Sequence, residues 1–113
     1  MIIDEVSMVS AKLLKVIHQR LNQIFETPDG CFGQRAVILV GDYYQLRPVA
    51  GQFVFENTKF MRYQTGFHLY CSLFYPVFLS LPQRQCEDES WAHILNRIRI
   101  YQPTPLDLQV LHQ

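Results

Sequence analysis

Hydrophobic residues spaced three and four positions apart predict two helices in this chain. Apolar side chains recur from Leu13 to Phe25 at helical intervals, with charged and amide side chains between them. Ser10 suits the N-cap and Thr27-Pro28-Asp29-Gly30 supplies a stop, so we place the first helix at about 10–26. A similar pattern with acidic residues in its first turn predicts a last helix over about 88–100.

Two apolar segments are typical of β-strands that lie side by side. The chain opens Met1-Ile2-Ile3-Asp4-Glu5, which resembles the last half of a strand, and the β-branched run Ala36–Val40 suits a strand buried on both faces. Strand, helix and strand in this order predict parallel strands joined by a right-handed crossover, and therefore an α/β fold. Weaker patterns favour a loop with room for one short helix over 43–67, a helix over 69–75 and a strand over 77–81.

The composition narrows the class of protein. The chain has 113 residues, and its ten Lys and Arg balance ten Asp and Glu. This neutrality argues against a self-sufficient binder of nucleic acids or membrane surfaces, and the longest apolar run is too short to cross a bilayer. Cys31, Cys71 and Cys86 contain no C-x-x-C pair and are expected to be reduced, intracellular thiols.

Two adjacent carboxylates, Asp4 and Glu5, follow the first predicted strand. The carboxyl ends of parallel strands form the ligand crevice of open α/β sheets, and acidic side chains there can hold a divalent cation. In phosphate-handling proteins of this layout, the first acid reaches Mg²⁺ through its water shell. The second orients or deprotonates the water that attacks the terminal phosphate. The alternative is a structural, solvated pair of carboxylates.

The second predicted strand also ends in an acid, within the run Gly41-Asp42-Tyr43-Tyr44-Gln45. Adjacent parallel strands are expected to bring Asp42 and Gln45 near Asp4 and Glu5. A neutral amide such as Gln45 can hydrogen-bond both a phosphate oxygen and a water, so it can report whether the terminal phosphate is present. The alternatives are a turn cap for Asp42 and a loop residue bonded to backbone for Gln45.

These residues carry a resemblance to a known family. Ile2–Met8 (Ile-Ile-Asp-Glu-Val-Ser-Met) resembles the Walker B motif, and Gly41–Val49 (Gly-Asp-Tyr-Tyr-Gln-Leu-Arg-Pro-Val) resembles motif III, of the Pif-type DNA helicases in the RecD-like branch of helicase superfamily one. Leu79–Gln85 (Leu-Ser-Leu-Pro-Gln-Arg-Gln) is similar to motif IV of that family. The resemblance runs from Met1 to about Asp107.

The resemblance implies that 1–113 is part of the first RecA-like (P-loop NTPase) motor domain of an ATP-dependent helicase that moves 5′ to 3′ on single-stranded DNA. It places Asp4 on Mg²⁺, Glu5 on the attacking water, and Asp42 in the nucleotide site. Gln45 would sense the γ-phosphate, and Arg84 would touch it and stabilise its charge. The family acts in DNA repair, recombination and telomere maintenance, so the nucleus or the mitochondrion is expected.

Contacts with DNA are expected beside the phosphate sensor, because coupling requires proximity. Aromatic residues there can stack on bases, which makes Tyr43 and Tyr44 the candidates, with core packing as the alternative. Arg47 stands where the family usually has proline, in a loop that couples nucleotide state to DNA. Tyr101 stands where a glycine commonly follows the last helix, so that helix end is expected to differ.

The phosphate-binding motif of this fold, G-x-x-x-x-G-K-[ST], is absent, because none of the five glycines is followed by lysine. We expect the P-loop strand and a second RecA-like domain to lie outside residues 1–113. Single-stranded or forked DNA is then the expected partner of the full-length protein, and no membrane is involved. For the 113-residue chain alone, we predict no ATP hydrolysis.

Two other functions fit part of the pattern. A helicase-derived relic without catalytic activity could act as a binding module. A metal-dependent nuclease could use Asp4, Glu5 and Asp42 to hold two cations.

Overall fold

The computed structural model describes residues 1–57, 59, 61–80, 83 and 88–112, with the backbone alone for 61–64. The described chain divides into two compact units, Met1–Tyr75 and Pro76–Gln113. The organisation of 1–113 as one piece of a motor domain stays a prediction.

A two-stranded parallel sheet forms the centre of the first unit. Strand β1 is Ile2–Ile3 and strand β2 is Ile38–Leu39, with Ile2 opposite Ile38 and Ile3 opposite Leu39. The Ile38 N–H donates to the Met1 carbonyl at 3.0 Å and the Val40 N–H to the Ile3 carbonyl at 2.8 Å. The predicted α/β fold with parallel strands is therefore confirmed.

Burial of the second strand on both faces was a wrong expectation. Side chains alternate across a strand, so Ile3 and Leu39 pack on the core while Ile2 and Ile38 point to the other face. Ile2 is 68% exposed and Ile38 is 56% exposed. The apolar run reflects β-propensity and one buried face, and no described element covers the other.

Helix α1, Ala11–Ile24, agrees with the predicted helix and begins at the predicted cap. The Ser10 hydroxyl accepts the Leu13 N–H at 3.1 Å, which satisfies one of the free donors of the first turn. A core cluster packs around Leu14 and consists of Val6, Val9, Leu14, Phe32 and Val54.

The loop after α1 is fastened to that helix by polar contacts. The Asn22 side chain donates to the Gly30 carbonyl at 2.5 Å and accepts the Gly33 N–H at 2.6 Å. Nδ1 of His18 accepts the Phe32 N–H at 3.2 Å. Burial lowers the pKa of His18, because charging the ring costs hydration.

Helix α2, Met61–Leu73, is longer than the helix predicted over 69–75. Gly66 lies in its middle, where a Cβ would overlap the Ala11 carbonyl oxygen of α1. Glycine in a helical pattern lowers the expectation of a helix, but here it permits the close approach of two backbones. The tertiary contact outweighs the local preference.

The second unit is helical. Helix α3, Glu89–Arg99, begins at Asp88, whose carboxylate accepts the Trp91 N–H at 2.8 Å, close to the predicted bounds of 88–100. Helix α4, Pro105–Leu111, was not predicted from the sequence; it begins with Pro105, and proline suits the first position of a helix, where its missing N–H would have no helical partner.

The strand predicted over 77–81 is wrong for residues 77–80, which form neither strand nor helix; Leu81 lies outside the described residues. In the described ranges, no helix is both long and apolar enough to span a bilayer. Cys31 and Cys71 are free and exposed, and Cys86 lies outside the described residues.

Candidate functional site

The ends of the two strands meet tightly at one edge of the sheet. Beyond β1 the Val6 N–H donates to the Val40 carbonyl at 2.9 Å. Gly41 follows β2 with φ 145°, and a Cβ there would lie 2.7 Å from the Val6 nitrogen and 3.3 Å from the Glu5 carbonyl carbon. Because only glycine fits so close to that backbone, the segment carrying Asp42 is held against the segment carrying Glu5.

Asp4 stands directly at the carboxyl end of β1 with an exposed side chain. Its Oδ1 accepts the Glu5 N–H at 2.8 Å, which fixes the carboxylate beside the strand end. Mg²⁺ in phosphate-binding sites usually takes one or two carboxylates and fills its remaining positions with water and phosphate oxygens. A single exposed carboxylate at this edge fits that role.

The described residues contain no group of three or more His, Cys, Asp or Glu placed to hold a metal ion together. Asp4, Glu5 and Asp42 therefore do not form the cluster that a two-cation nuclease requires. The geometry gives the nuclease hypothesis no support.

Glu5 has a backbone conformation that sequence patterns do not show. Its φ of 52° and ψ of 48° place it in the left-handed region, which costs a non-glycine residue about 1–2 kcal/mol. The conformation turns the chain sharply from β1 into a short 3-10 turn, Val6–Met8, while the side chain stays exposed. Strained residues of this kind gather at functional sites, so the backbone conformation of Glu5 supports its candidacy as a functional residue.

A tight turn, Asp42–Gln45, follows β2. Oδ1 of Asp42 accepts the Tyr44 N–H at 3.0 Å, and the Asp42 carbonyl accepts the Gln45 N–H at 3.1 Å. The structure thus shows Asp42 as a turn cap, which was the structural alternative for this residue. The Gln45 side chain is exposed on the same turn.

Neighbouring tyrosines in this turn lie in different environments. The ring of Tyr43 is partly buried and makes edge-to-face contacts with Phe53, Phe55 and Tyr70. Burial, helped by the Tyr70 hydroxyl, raises the pKa of Tyr43 well above its usual range. Tyr44 is 58% exposed.

Arg47, which follows the Asp42–Gln45 turn, contacts the segment that carries Phe53 and Glu56. Its guanidinium pairs with Glu56 at 3.0 Å and lies 5.0 Å from the centre of the Phe53 ring. Arg84, the residue expected to touch the phosphate, lies outside the described residues.

The chain is similar to helicases in three comparisons. The sequence model of the PIF1-like helicase family matches residues 1–63. The ATP-dependent DNA helicase Pif1 of Psychrobacter sp. (strain PRwf-1) is 38% identical over 60 residues, which are 53% of this chain and 9% of that protein. A crystal structure of Pif1 helicase from Bacteroides in complex with ADP-AlF3 and ssDNA matches 97% of this chain and 26% of its own, with 34% identity and a TM-score of 0.69.

This chain matches only part of each relative, so the similarity does not by itself give this chain the activity of a whole helicase. This chain spans about a quarter of the length of the solved structure and about a tenth of the Psychrobacter protein. The matched part includes the sheet edge with Asp4, Glu5 and the Asp42–Gln45 turn, because all of these lie within residues 1–63.

Proposed function

Because the chain belongs to the PIF1-like helicase family, we propose that it is the nucleotide-facing part of the motor domain of an ATP-dependent DNA helicase. One observation carries this proposal. The parallel pairing of β1 and β2, tightened at Gly41, brings the segment with Asp4 and Glu5 together with the turn that carries Gln45. Nucleotides bind at this kind of edge in open α/β sheets.

We assign the proposed roles by position at that edge. Asp4 holds Mg²⁺ through its water shell, and the bound ion would neutralise charge on the phosphates. Glu5, just beyond, orients or deprotonates the attacking water, a task that suits an exposed carboxylate beside the metal ligand. The fixed left-handed backbone of Glu5 supports this assignment, because a general base must be held in position.

The turn after β2 supplies the proposed sensor. Asp42 shapes the turn through its two hydrogen bonds, and the exposed amide of Gln45 contacts the γ-phosphate and the attacking water. Arg84 is proposed as the arginine that stabilises the leaving phosphoryl charge. Tyr44 and Arg47 are the proposed contacts that couple this turn to DNA.

The complete polypeptide is proposed to bind single-stranded or forked DNA and to unwind DNA in repair, recombination and telomere maintenance, in the nucleus or the mitochondrion. The 113-residue chain has no G-K-[ST] loop to cradle phosphates, so we expect no ATP hydrolysis from it alone. A relic that acts only as a binding module remains the alternative function, and the following experiment separates the two.

The test places this chain in a complete motor. In the Bacteroides helicase, the quarter that matches this chain is replaced by residues 1–113, and ATP hydrolysis is measured with and without single-stranded DNA. We expect DNA-stimulated hydrolysis, because the Bacteroides helicase supplies the rest of the motor. Glu5→Gln should lower kcat by about a hundredfold or more, since it removes the base. Gln45→Ala should lower kcat by roughly ten- to a hundredfold.

Glu26→Gln is the matched control, because Glu26 is an exposed glutamate in the loop after α1. It should change kcat less than about twofold, the usual range for a surface substitution away from the site. Hydrolysis that is equally fast in Glu5→Gln and in the unsubstituted chimera would contradict the proposed role of Glu5. A chimera that binds DNA but never hydrolyses ATP would favour the relic.

A further inference from the structure

We propose that Tyr43 is a positioning residue that fixes the Asp42–Gln45 turn to helix α2 and so presets the location of Gln45. The inference rests on the proposed function, because Gln45 is the proposed phosphate sensor. It assigns Tyr43 a role different from the DNA contact expected from the sequence.

Tyr43 is enclosed by rings from two parts of the first unit. Its ring centre lies 4.9 Å from Phe55, 6.2 Å from Phe53 and 6.2 Å from Tyr70, with interplanar angles of 84° to 90°. Edge-to-face pairs at these distances are attractive and directional, so they fix orientation as well as position. One side chain therefore connects the sensor turn to three neighbours.

Those neighbours are themselves held in place. Phe53 forms an antiparallel bridge with Ser10, and the Ala11 N–H donates to the Gln52 carbonyl at 3.1 Å, so this loop is tied to the start of α1. Phe55 stacks on Phe53 with ring centres 4.8 Å apart. Tyr43 thus packs on a loop that the core of the unit already positions.

Tyr70 connects Tyr43 to helix α2. It lies in α2 and stacks on Phe74 at 6.0 Å, and Phe74 in turn meets Phe32 of the core cluster at 5.7 Å. Through Tyr43, the Asp42–Gln45 turn is linked to α2 and to the buried core. This link adds to the hydrogen bonds within the turn and to the strand that precedes it.

Preorganisation is the chemical consequence. A sensor that is already in place does not have to be ordered while the attacking water and the γ-phosphate are aligned for reaction, so its preorganisation should act mainly on kcat. The ring of Tyr43 cannot stack on a DNA base without leaving its three partners, whereas the more exposed Tyr44 on the same turn can. Of the two adjacent tyrosines, Tyr43 therefore positions the turn and Tyr44 lies at the surface.

The test measures amide hydrogen exchange by NMR in the 113-residue chain. The Gln45 amide, bonded to the Asp42 carbonyl, reports opening of the turn, and the Leu14 amide, bonded to the Ser10 carbonyl in α1, reports opening of the core. In Tyr43→Leu, exchange at Gln45 should accelerate about tenfold or more relative to Leu14, which is the effect expected from losing one or two aromatic pairs. Tyr43→Phe keeps the ring and loses only the hydroxyl contact with Tyr70, so it should accelerate exchange by about threefold or less, clearly below the effect of Tyr43→Leu.

Leu46→Ala, next to the turn, is the control and should leave the ratio of the two exchange rates unchanged within about twofold, because Leu46 is 72% exposed. Phe55→Leu removes the shortest ring contact from the partner side and should accelerate exchange at Gln45 in the same direction, which keeps the test decisive if Tyr43→Leu does not fold. Equal acceleration at Gln45 and Leu14 in Tyr43→Leu and Phe55→Leu would overturn the proposal, because it would show general destabilisation.

A kinetic measurement separates this inference from the proposed function. In the chimera, Tyr43→Leu should lower kcat with little change in KM, and Tyr43→Phe should restore kcat. A chimera without any ATP hydrolysis would count against the proposed function, while the exchange rates of the 113-residue chain would still decide the role of Tyr43.

Discussion

The two units of this chain are stabilised by different chemistry. In Met1–Tyr75, aliphatic side chains and rings enclose a small core around Leu14, which is 0% exposed. In Pro76–Gln113, the described part of helix α3 has no buried side chain, and the buried residue of α4 is a carboxylate, Asp107, at 2% exposure. The first unit is therefore stabilised mainly by the burial of apolar surface, and the described part of the second unit mainly by a few polar contacts.

Asp107 is the centre of the polar contacts in the second unit. Arg97 of α3 donates to both of its oxygens, with Nε to Oδ2 at 2.8 Å and a terminal guanidinium nitrogen to Oδ1 at 2.6 Å. Thr104 completes a capping box, donating its N–H to Oδ2 at 2.8 Å and accepting the Asp107 N–H at 3.2 Å. Asp4, Glu5 and the Asp42–Gln45 turn lie in the first unit, so their geometry is supported by apolar packing, on which salt has little effect.

Leu14→Ala is expected to have the largest effect and to act on the first unit. Removing a fully buried leucine leaves a cavity among Val6, Val9 and Phe32, and this should lower the free energy of unfolding by about 3 kcal/mol. Urea unfolding followed by circular dichroism gives the measurement. Leu13→Ala, on the exposed side of the same helix, is the control; an equal loss there would contradict a packed core.

Asp107→Asn should disrupt the second unit while leaving the first intact. Asparagine can still accept the Thr104 N–H, so the substitution mainly removes the ion pair with Arg97. We expect the amides of α4 to lose their protection from hydrogen exchange, while the Leu14 amide of the first unit, bonded to the Ser10 carbonyl, keeps its own. Asp29→Asn, at an exposed carboxylate of the first unit, controls for the change of charge. Persistent protection throughout α4 would show that the ion pair does not hold this unit.

The comparison also explains which features the sequence could predict. Helix α1 and helix α3 follow from periodic apolar residues and from the caps at Ser10 and Asp88, all of which are local signals. The parallel pairing follows from the order strand, helix, strand. This pairing also brings the segment after β1 beside the segment after β2 at one edge of the sheet, while the roles of Asp4, Glu5 and Gln45 stay predictions.

Features that depend on distant contacts could not be predicted. Helix α2 contains a glycine whose purpose is visible only against Ala11, and Asp107 becomes a buried partner only when α3 and α4 fold together. The left-handed conformation of Glu5 and the ring contacts of Tyr43 likewise have no local signature. The segment 77–80 begins with three apolar residues typical of a strand, but among the described residues it pairs with no other segment.

Acid should distinguish the two units by the pH at which each loses stability. Burial lowers the pKa of His18 below 6.5, so the unfolded chain binds the proton first and the first unit loses stability as pH falls from about 7 to 5. Arg97, helped by Thr104, lowers the pKa of Asp107 below 3.8, so its contribution is present above that value and is lost only at more acidic pH.

Exchange of the Leu14 amide between pH 7 and 5 measures the first transition, and exchange of the α4 amides as pH falls below 3.8 measures the second. His18→Asn should flatten the loss in the first unit between pH 7 and 5, because asparagine can accept the Phe32 N–H without titrating. An unchanged pH dependence in that variant would assign the effect to another group. The second unit should respond to this substitution least.

Tyr101→Gly should produce the smallest change, and a stabilising one. Tyr101 follows α3 at φ 59°, where the Gln102 N–H donates to the Arg97 carbonyl at 2.8 Å, so the helix keeps the left-handed ending that glycine favours and does not differ as expected. Relief of the left-handed tyrosine, less the extra freedom of glycine when unfolded, should leave a gain of roughly 0.5 kcal/mol in the second unit. Thermal unfolding measures it. Tyr101→Ala removes the same 87% exposed ring but keeps the strained backbone, so an equal gain in that variant would assign the effect to the side chain and not to the helix ending.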